Sequence, residues 1–226
     1  MTSEPRPSRF ADQVASLGLS TGLTAPSPEI IDEIQRGRVV DALAATAVEH
    51  GYAGVTVERV LRHAHMSART FYALFDSLED WGHAAYRDLG CRFQAALEAA
   101  WRREDEWPSA VRAAIAAGLA FAAKEPVTAQ FLAVEVRAGG PEARALQAAS
   151  IERLAAKLRE GRSRCHGVAA PNRFAEWVLV AGLVSLVGDR LLAGRPHELP
   201  ALEPELVELA LAPCLGAEPA RRLARG

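Results

Sequence analysis

Between Arg38 and Trp81 the chain reads RVVDALAATAVEHGYAGVTVERVLRHAHMSARTFYALFDSLEDW, and its helical signals are interrupted three times within that short span. Ile30, Ile34, Val40, Leu43 and Ala47 keep a rough helical face behind a start at Pro28 and Glu29, and Gly51 ends that helix. Thr56 caps a second helix from Val57 to about His63, without a capping box because Arg59 stands three residues later. Ser67 caps a third helix through about Leu74, and Asp76 or Ser77 caps a long fourth from Leu78 to about Glu104. Helices this short bury nothing alone and must pack on one another. The spacing is that of a helix-turn-helix, although the pattern also fits a three-helix structural bundle with ordinary caps.

The rest of the 226 residues reads as helix as well. Alanine and leucine are abundant and runs of β-branched residues are nearly absent, so little or no sheet is expected. Helices are expected at about 109–123, 127–137, 141–161, 172–193 and 203–215, with glycines and prolines between them. The organisation anticipated is a flexible arm over 1–28, a helix-turn-helix domain over 29–77, a helical domain over 78–216 and a frayed, solvated tail over 217–226. The arm carries Arg6 and Arg9, offset by Glu4 and Asp12.

Net charge is −2, so any nucleic-acid affinity must come from local charge. Residues 29–75 set Arg36, Arg38, Arg59, Arg62 and Arg69 against Glu29, Asp32, Glu33, Asp41, Glu49 and Glu58, which is not a basic balance. Cys91, Cys165 and Cys214 show neither metal-ligand spacing nor a disulfide framework, which suits a reducing cytoplasm. The N-terminus lacks the apolar stretch of a signal peptide, and the longest apolar run, 177–188, is too short for a membrane span.

A helix that reads DNA needs an apolar underside and small or polar residues outside. Val57, Val60, Leu61, Ala64, Met66, Phe71 and Phe75 supply the underside. Ser67, Ala68, Arg69 and Thr70 open the third helix, where base edges are reached. Arg69 can pair with guanine O6 and N7, while Ser67, Thr70 and Tyr72 can donate to phosphates. Thr56 opens the second helix, whose N-terminus can also face a phosphate.

These residues carry a resemblance. Gly51-Tyr52, Thr56-Val57, Val60, Ala64, Met66-Ser67 and Thr70-Phe71-Tyr72-Ala73-Leu74-Phe75 resemble the DNA-binding domain of the TetR family of transcriptional repressors over about 38–81. The resemblance implies that Thr56, Ser67, Thr70 and Tyr72 approach DNA. It also implies an all-α fold with an N-terminal three-helix helix-turn-helix domain and a C-terminal helical domain for ligand binding and dimerisation. The chain departs from the family pattern at Leu78, usually a phosphate-binding Lys, at His65, usually Gly, and at Ala47, usually a large aromatic.

For the C-terminal part, Trp101, Trp107, Phe121, Phe131, Phe174 and Trp177 either line a pocket or form core. Glu135 either orients a ligand or joins Arg137 in an ion pair or solvated face. The nearly apolar 172–193 helix is either central or an interface, and Trp177, Val184, Leu191, Leu206 and Leu209 are the expected dimer contacts. No hydrolase, P-loop, dinucleotide or zinc-peptidase motif occurs, so neither catalysis nor a cofactor is expected. His63 and His65, two apart, do not suit a shared metal. Cys165-His166, beside Arg162 and Arg164, reads as an ordinary loop thiol or else a redox sensor. The function anticipated is a cytoplasmic homodimeric repressor bound to a palindromic double-stranded operator and released by a small apolar effector. The alternative is a helical interaction or scaffold protein of the same fold with lost or weakened DNA binding.

Overall fold

The computed structural model describes residues 28–162 and 174–225. The arm and the Cys165-His166 loop anticipated above therefore lie outside the described residues. Contacts divide the chain into Met1–Gln35, described only from Pro28 onward, and Arg36–Gly226. Helices account for nearly all described residues, and none is long and apolar enough to cross a membrane.

Helix α1 runs Pro28–His50, α2 Val57–Ala64, α3 Ala68–Leu74 and α4 Leu78–Trp101. They are followed by α5 Trp107–Lys124, α6 Pro126–Ala133, α7 Gly140–Arg162, α8 Ala175–Leu192, α9 Glu203–Leu215 and α10 Ala217–Arg225. Single 3-10 segments at Tyr52–Gly54, Glu135–Ala138 and Pro196–Leu202 fill connections. Gly51 takes φ +72°, the conformation that lets the chain leave α1 sharply.

Residues after Arg36 build one large apolar cluster and three smaller ones. The large one joins Val39, Leu43 and Ala47 of α1 to Val60, Phe71 and Phe75, then to Trp81, Ala85 and Leu89 of α4, and continues to Phe131, Val136 and Ala143. Ala47, small where the TetR pattern has an aromatic, is fully buried in this cluster, which also takes the Phe131 ring from α6. The smaller clusters tie α5 to α9 and α10, α5 to α6, α8 and α9, and α7 to α8.

Three expectations differ from what is found. The helix expected over 127–137 stops at Ala133 because the buried Gln147 amide of α7 donates to the carbonyls of Leu132 (3.0 Å) and Ala133 (3.1 Å). Those carbonyls would otherwise accept from the next turn. The segment from Ala217 is not frayed but helical. Ala220 and Ala224 are buried against α9 with Leu223, and Arg221 grips Glu208 through two nitrogens, the closer at 3.0 Å. Its many arginines suggested solvation, but alanines four apart make a packing face. Finally, Cys91 is a free exposed thiol, whereas Cys214 is disulfide-bonded and buried. Spacing alone does not reveal such a pairing.

Candidate nucleic-acid interface

The underside expected of the helix-turn-helix is present. Val60 and Phe71 are fully buried, Ala64 and Phe75 nearly so, and Val57, Leu61 and Met66 pack against the same cluster. Phe71 is the centre of an aromatic interlock. Its ring meets Trp81 edge-on at 5.1 Å between centroids, and Phe75 lies 5.7 Å from Phe71 and 5.9 Å from Trp81. Such edge-to-face contacts add directional preference to burial and fix the angle at which α3 leaves the domain.

The turn between α2 and α3 is held by backbone geometry. His65 adopts φ 53°, ψ 49°, the left-handed conformation, and the Met66 N–H bonds back to the Leu61 carbonyl at 3.0 Å. A glycine would adopt this cheaply; histidine does so at a steric cost. Arg38 reaches across from α1 to the last α2 carbonyl, Ala64, at 2.9 Å. That places α2 relative to α1, a contact 26 residues apart that helix periodicity does not announce.

Both predicted caps form. The Thr56 hydroxyl accepts from the Arg59 N–H at 3.3 Å, and the Ser67 hydroxyl accepts from the Thr70 N–H at 3.2 Å. Ser67 and Thr70 hydroxyls also bond each other at 2.9 Å. Thr56, Ser67, Ala68 and Arg69 are exposed, Thr70 is half-buried and Tyr72 is 61% exposed. The six residues expected to face DNA thus lie on the caps and turns of α2 and α3, with the exposed Tyr72 ring edge-on to Phe71 at 5.1 Å. Beside them is a cleft of about 620 Å³ whose walls include His50, Arg59, His63 and His65. Arg62, also on this wall, is bound to Glu58 at 2.7 Å, and Arg59 to the Gly54 carbonyl. Leu78 does not point to solvent: it is half-buried against the helix-turn-helix cluster. The position where TetR-like chains carry a phosphate-binding Lys is used here for packing.

The residues expected to bind an effector are dispersed. Trp101 and Trp107 pack with α9 and α10, Phe121 meets Phe93 edge-on at 5.3 Å, and Phe131 is buried in the helix-turn-helix cluster, 6.4 Å from the Tyr52 ring. Phe174 and Trp177 line a separate cleft of about 460 Å³ with Glu152 and Arg159. Glu135 does not pair with Arg137. Its oxygens accept from the Tyr52 N–H (3.2 Å) and the Gln130 amide (3.3 Å), while Arg137 donates to Gln147. Of the expected dimer contacts, Leu191 and Leu206 are buried inside their own chain, Val184 is half-buried, and Trp177 and Leu209 are exposed.

Sequence reasoning missed the role of Tyr52. From the 3-10 turn after α1 its ring enters a slot formed by Gly82 of α4 and Gly139, where a Cβ at Gly82 would overlap the hydroxyl. Burial, and secondarily the Glu79 charge, push its phenol above the ordinary value of 10.0. The only signal was Gly51-Tyr52 itself; the partners lie 30 and more residues downstream.

An exposed, capped α3 on an aromatic base, followed by an all-helical bundle, is the layout of a helix-turn-helix protein. Residues 39–80 match the family described as bacterial regulatory proteins, tetR family. The fold is similar to the fatty acid degradation regulator FadR of Bacillus halodurans, at TM-score 0.70 and 17% identity, covering 86% of this chain and 99% of that one. It is also similar to the transcriptional regulator FadR of Bacillus subtilis, solved with stearoyl-CoA (TM-score 0.67, 18% identity, 80% and 98% covered). A tetR-family regulatory protein of Rhodococcus RHA1 follows at 0.63 and 18%, with 80% and 96% covered. No curated protein matches the sequence significantly. The family match thus covers the helix-turn-helix segment, and the rest of the chain shares the all-helical fold of these regulators.

Proposed function

We propose that the protein is a cytoplasmic homodimeric repressor that binds a palindromic operator through Thr56, Ser67, Ala68, Arg69, Thr70 and Tyr72 and leaves it when a small apolar effector binds. The observation that carries this reading is the outward face of α3. Arg69 and Tyr72 are exposed there while Phe71, between them in the chain, is fully buried. Arg69 reads guanine, and the hydroxyls position the phosphates. Two such heads about one DNA turn (~34 Å) apart require a twofold dimer. Trp177 and Val178 of α8 and Leu209 of α9 are large, exposed and apolar, and supply an unused face for it.

For the effector, we take the complex of the B. subtilis FadR with stearoyl-CoA as the guide and propose that the apolar group bound is the alkyl chain of a long-chain acyl thioester. In α5 Ala113, Ala114, Ala116 and Ala117 are half-buried rather than buried, in a helix that packs on α4, α6, α9 and α10. Small side chains that stay accessible within a bundle leave room for an alkyl chain.

Selection of bound sites from a random double-stranded pool tests the DNA reading. A palindromic consensus, lost from selection by Arg69→Ala at the guanine positions, is the expected result. Monomeric protein without sequence preference overturns it in favour of the interaction-protein alternative, which the inward-packed Leu78 and the near-neutral head favour. Release of the selected DNA by stearoyl-CoA then tests the effector separately.

A further inference from the structure

Three titratable side chains meet where the chain passes from the reading head into the bundle. Glu79 and His83 stand one turn apart on one face of α4, and Glu142 lies in the first turn of α7. One oxygen or ring nitrogen from each lies within 4.8 Å of the others. His83 Nδ1 is 3.3 Å from Glu142 Oε2. His83 is 6% exposed, and its Nε2 has no hydrogen-bond partner, so the ring is held in place with its polar capacity only half used. The two carboxylates are exposed. Among the described residues no lysine or arginine pairs with either of them, whereas Asp88 and Asp41 pair with Arg36 and Arg92.

The three side chains together offer one nitrogen and two carboxylates as donors, with no lysine or arginine paired to them among the described residues. A buried imidazole fixes one ligand position, and two carboxylates on separate helices close on it. One nitrogen and two oxygens suit a divalent first-row transition ion, with water completing the shell on the solvent side.

We propose that Glu79, His83 and Glu142 form a divalent transition-metal site that ties the first turns of α4 to the first turn of α7. Because α4 follows α3 after only three residues, the ion would join the reading head's exit to the bundle. The Tyr52 slot lies on the same turns of α4. An ion that prefers one arrangement of this junction must shift DNA affinity, and DNA must shift ion affinity by the same factor.

The test uses the full chain without an affinity tag and with Cys91→Ser, since the exposed Cys91 thiol would otherwise capture zinc. Mn²⁺ and Zn²⁺ are titrated calorimetrically, and thermal unfolding is followed with and without each ion. The expected result is saturable binding of one ion per chain and a melting temperature that rises with ion concentration. Glu79→Gln and Glu142→Gln, both at exposed positions, should each weaken binding at least ~10-fold, the loss that even an outer-shell partner causes. His83→Ala should abolish binding, and if it does not fold the two glutamine variants decide alone. No saturable binding, or binding that survives both glutamine substitutions, overturns the site.

Discussion

The reading head and the bundle behind it bury apolar surface in different ways. In the head one continuous cluster is interlocked by Phe71, Phe75 and Trp81, with Val39, Ala47 and Val60 completely excluded from solvent. Beyond Phe131, Val136 and Ala143, which belong to that cluster, the buried residues of the bundle fall into three small groups built mostly from alanine, valine and leucine, and Trp101, Trp107, Ile115 and Leu158 are only half-buried around them. Interlocked aromatics have few alternative packings, so the head keeps its geometry. Small, separate clusters of aliphatic side chains slide and repack at lower cost, so the bundle is the more adaptable region. Tyr52, Gly82 and Glu135 join the two regions.

The sharpest way to break this contrast is to remove the interlock. Phe71→Ala deletes a fully buried ring with contacts to three other aromatics and should cost about 3–5 kcal/mol, with DNA binding lost. A bundle substitution of the same kind, at half-buried Phe121, should cost clearly less, because part of that ring already faces solvent. Chemical denaturation of both variants checks it, and equal losses would mean the two regions are equally tightly packed.

The junction gives the next largest effect. Gly82→Ala places a methyl on the Tyr52 hydroxyl and should destabilise by about 1–3 kcal/mol. Tyr52→Phe removes the obstructing oxygen; the next ring atom is 3.4 Å from the methyl, a tight but ordinary contact. The double variant should therefore be more stable than Gly82→Ala alone, and a thermodynamic cycle without that coupling would show that Tyr52 does not occupy the slot tightly.

A smaller effect is expected at Leu78. Leu78→Lys gives up half-buried packing against the head but can carry its ammonium outward along its own stem. One more phosphate contact should tighten binding to all sequences alike and steepen the salt dependence by about 0.9 in the log–log slope. An unchanged slope would mean that the first turn of α4 does not face DNA.

The head was the more legible region in the sequence, and the reason is physical. Caps act on the residues beside them: Thr56, Ser67 and Ser77 each bond an N–H three residues on, so the hydrogen bond that starts the helix is written locally. The apolar underside follows helix periodicity for the same reason. What was not legible depends on distant partners. Glu135 binds Tyr52 across 83 residues, Gln147 stops α6 from the next helix, and Arg221 turns an apparent tail into a docked helix by meeting Glu208. Apolar residues in the bundle, such as Leu191 and Leu206, show periodicity without address, and folding spends them inside the chain rather than at a partner.

His65 carries the smallest expected effect and tests whether the head is as fixed as its core suggests. Its left-handed backbone costs a residue with a Cβ about 1–2 kcal/mol, whereas glycine adopts it freely. Glycine also gains freedom in the unfolded chain, which cancels about 0.5–1 kcal/mol of that relief. The His65 side chain is exposed, makes no hydrogen bond among the described residues, and so is lost at little cost. His65→Gly should then stabilise the protein by about 0.5–1 kcal/mol, a rise of about 2–4 °C or less in Tm for a chain of this size. A calorimetric scan resolves a change of that order. A fall in Tm would mean that the turn tolerates motion once the Cβ is gone, and that the rigidity of the head rests on this strained residue as well as on its aromatic core.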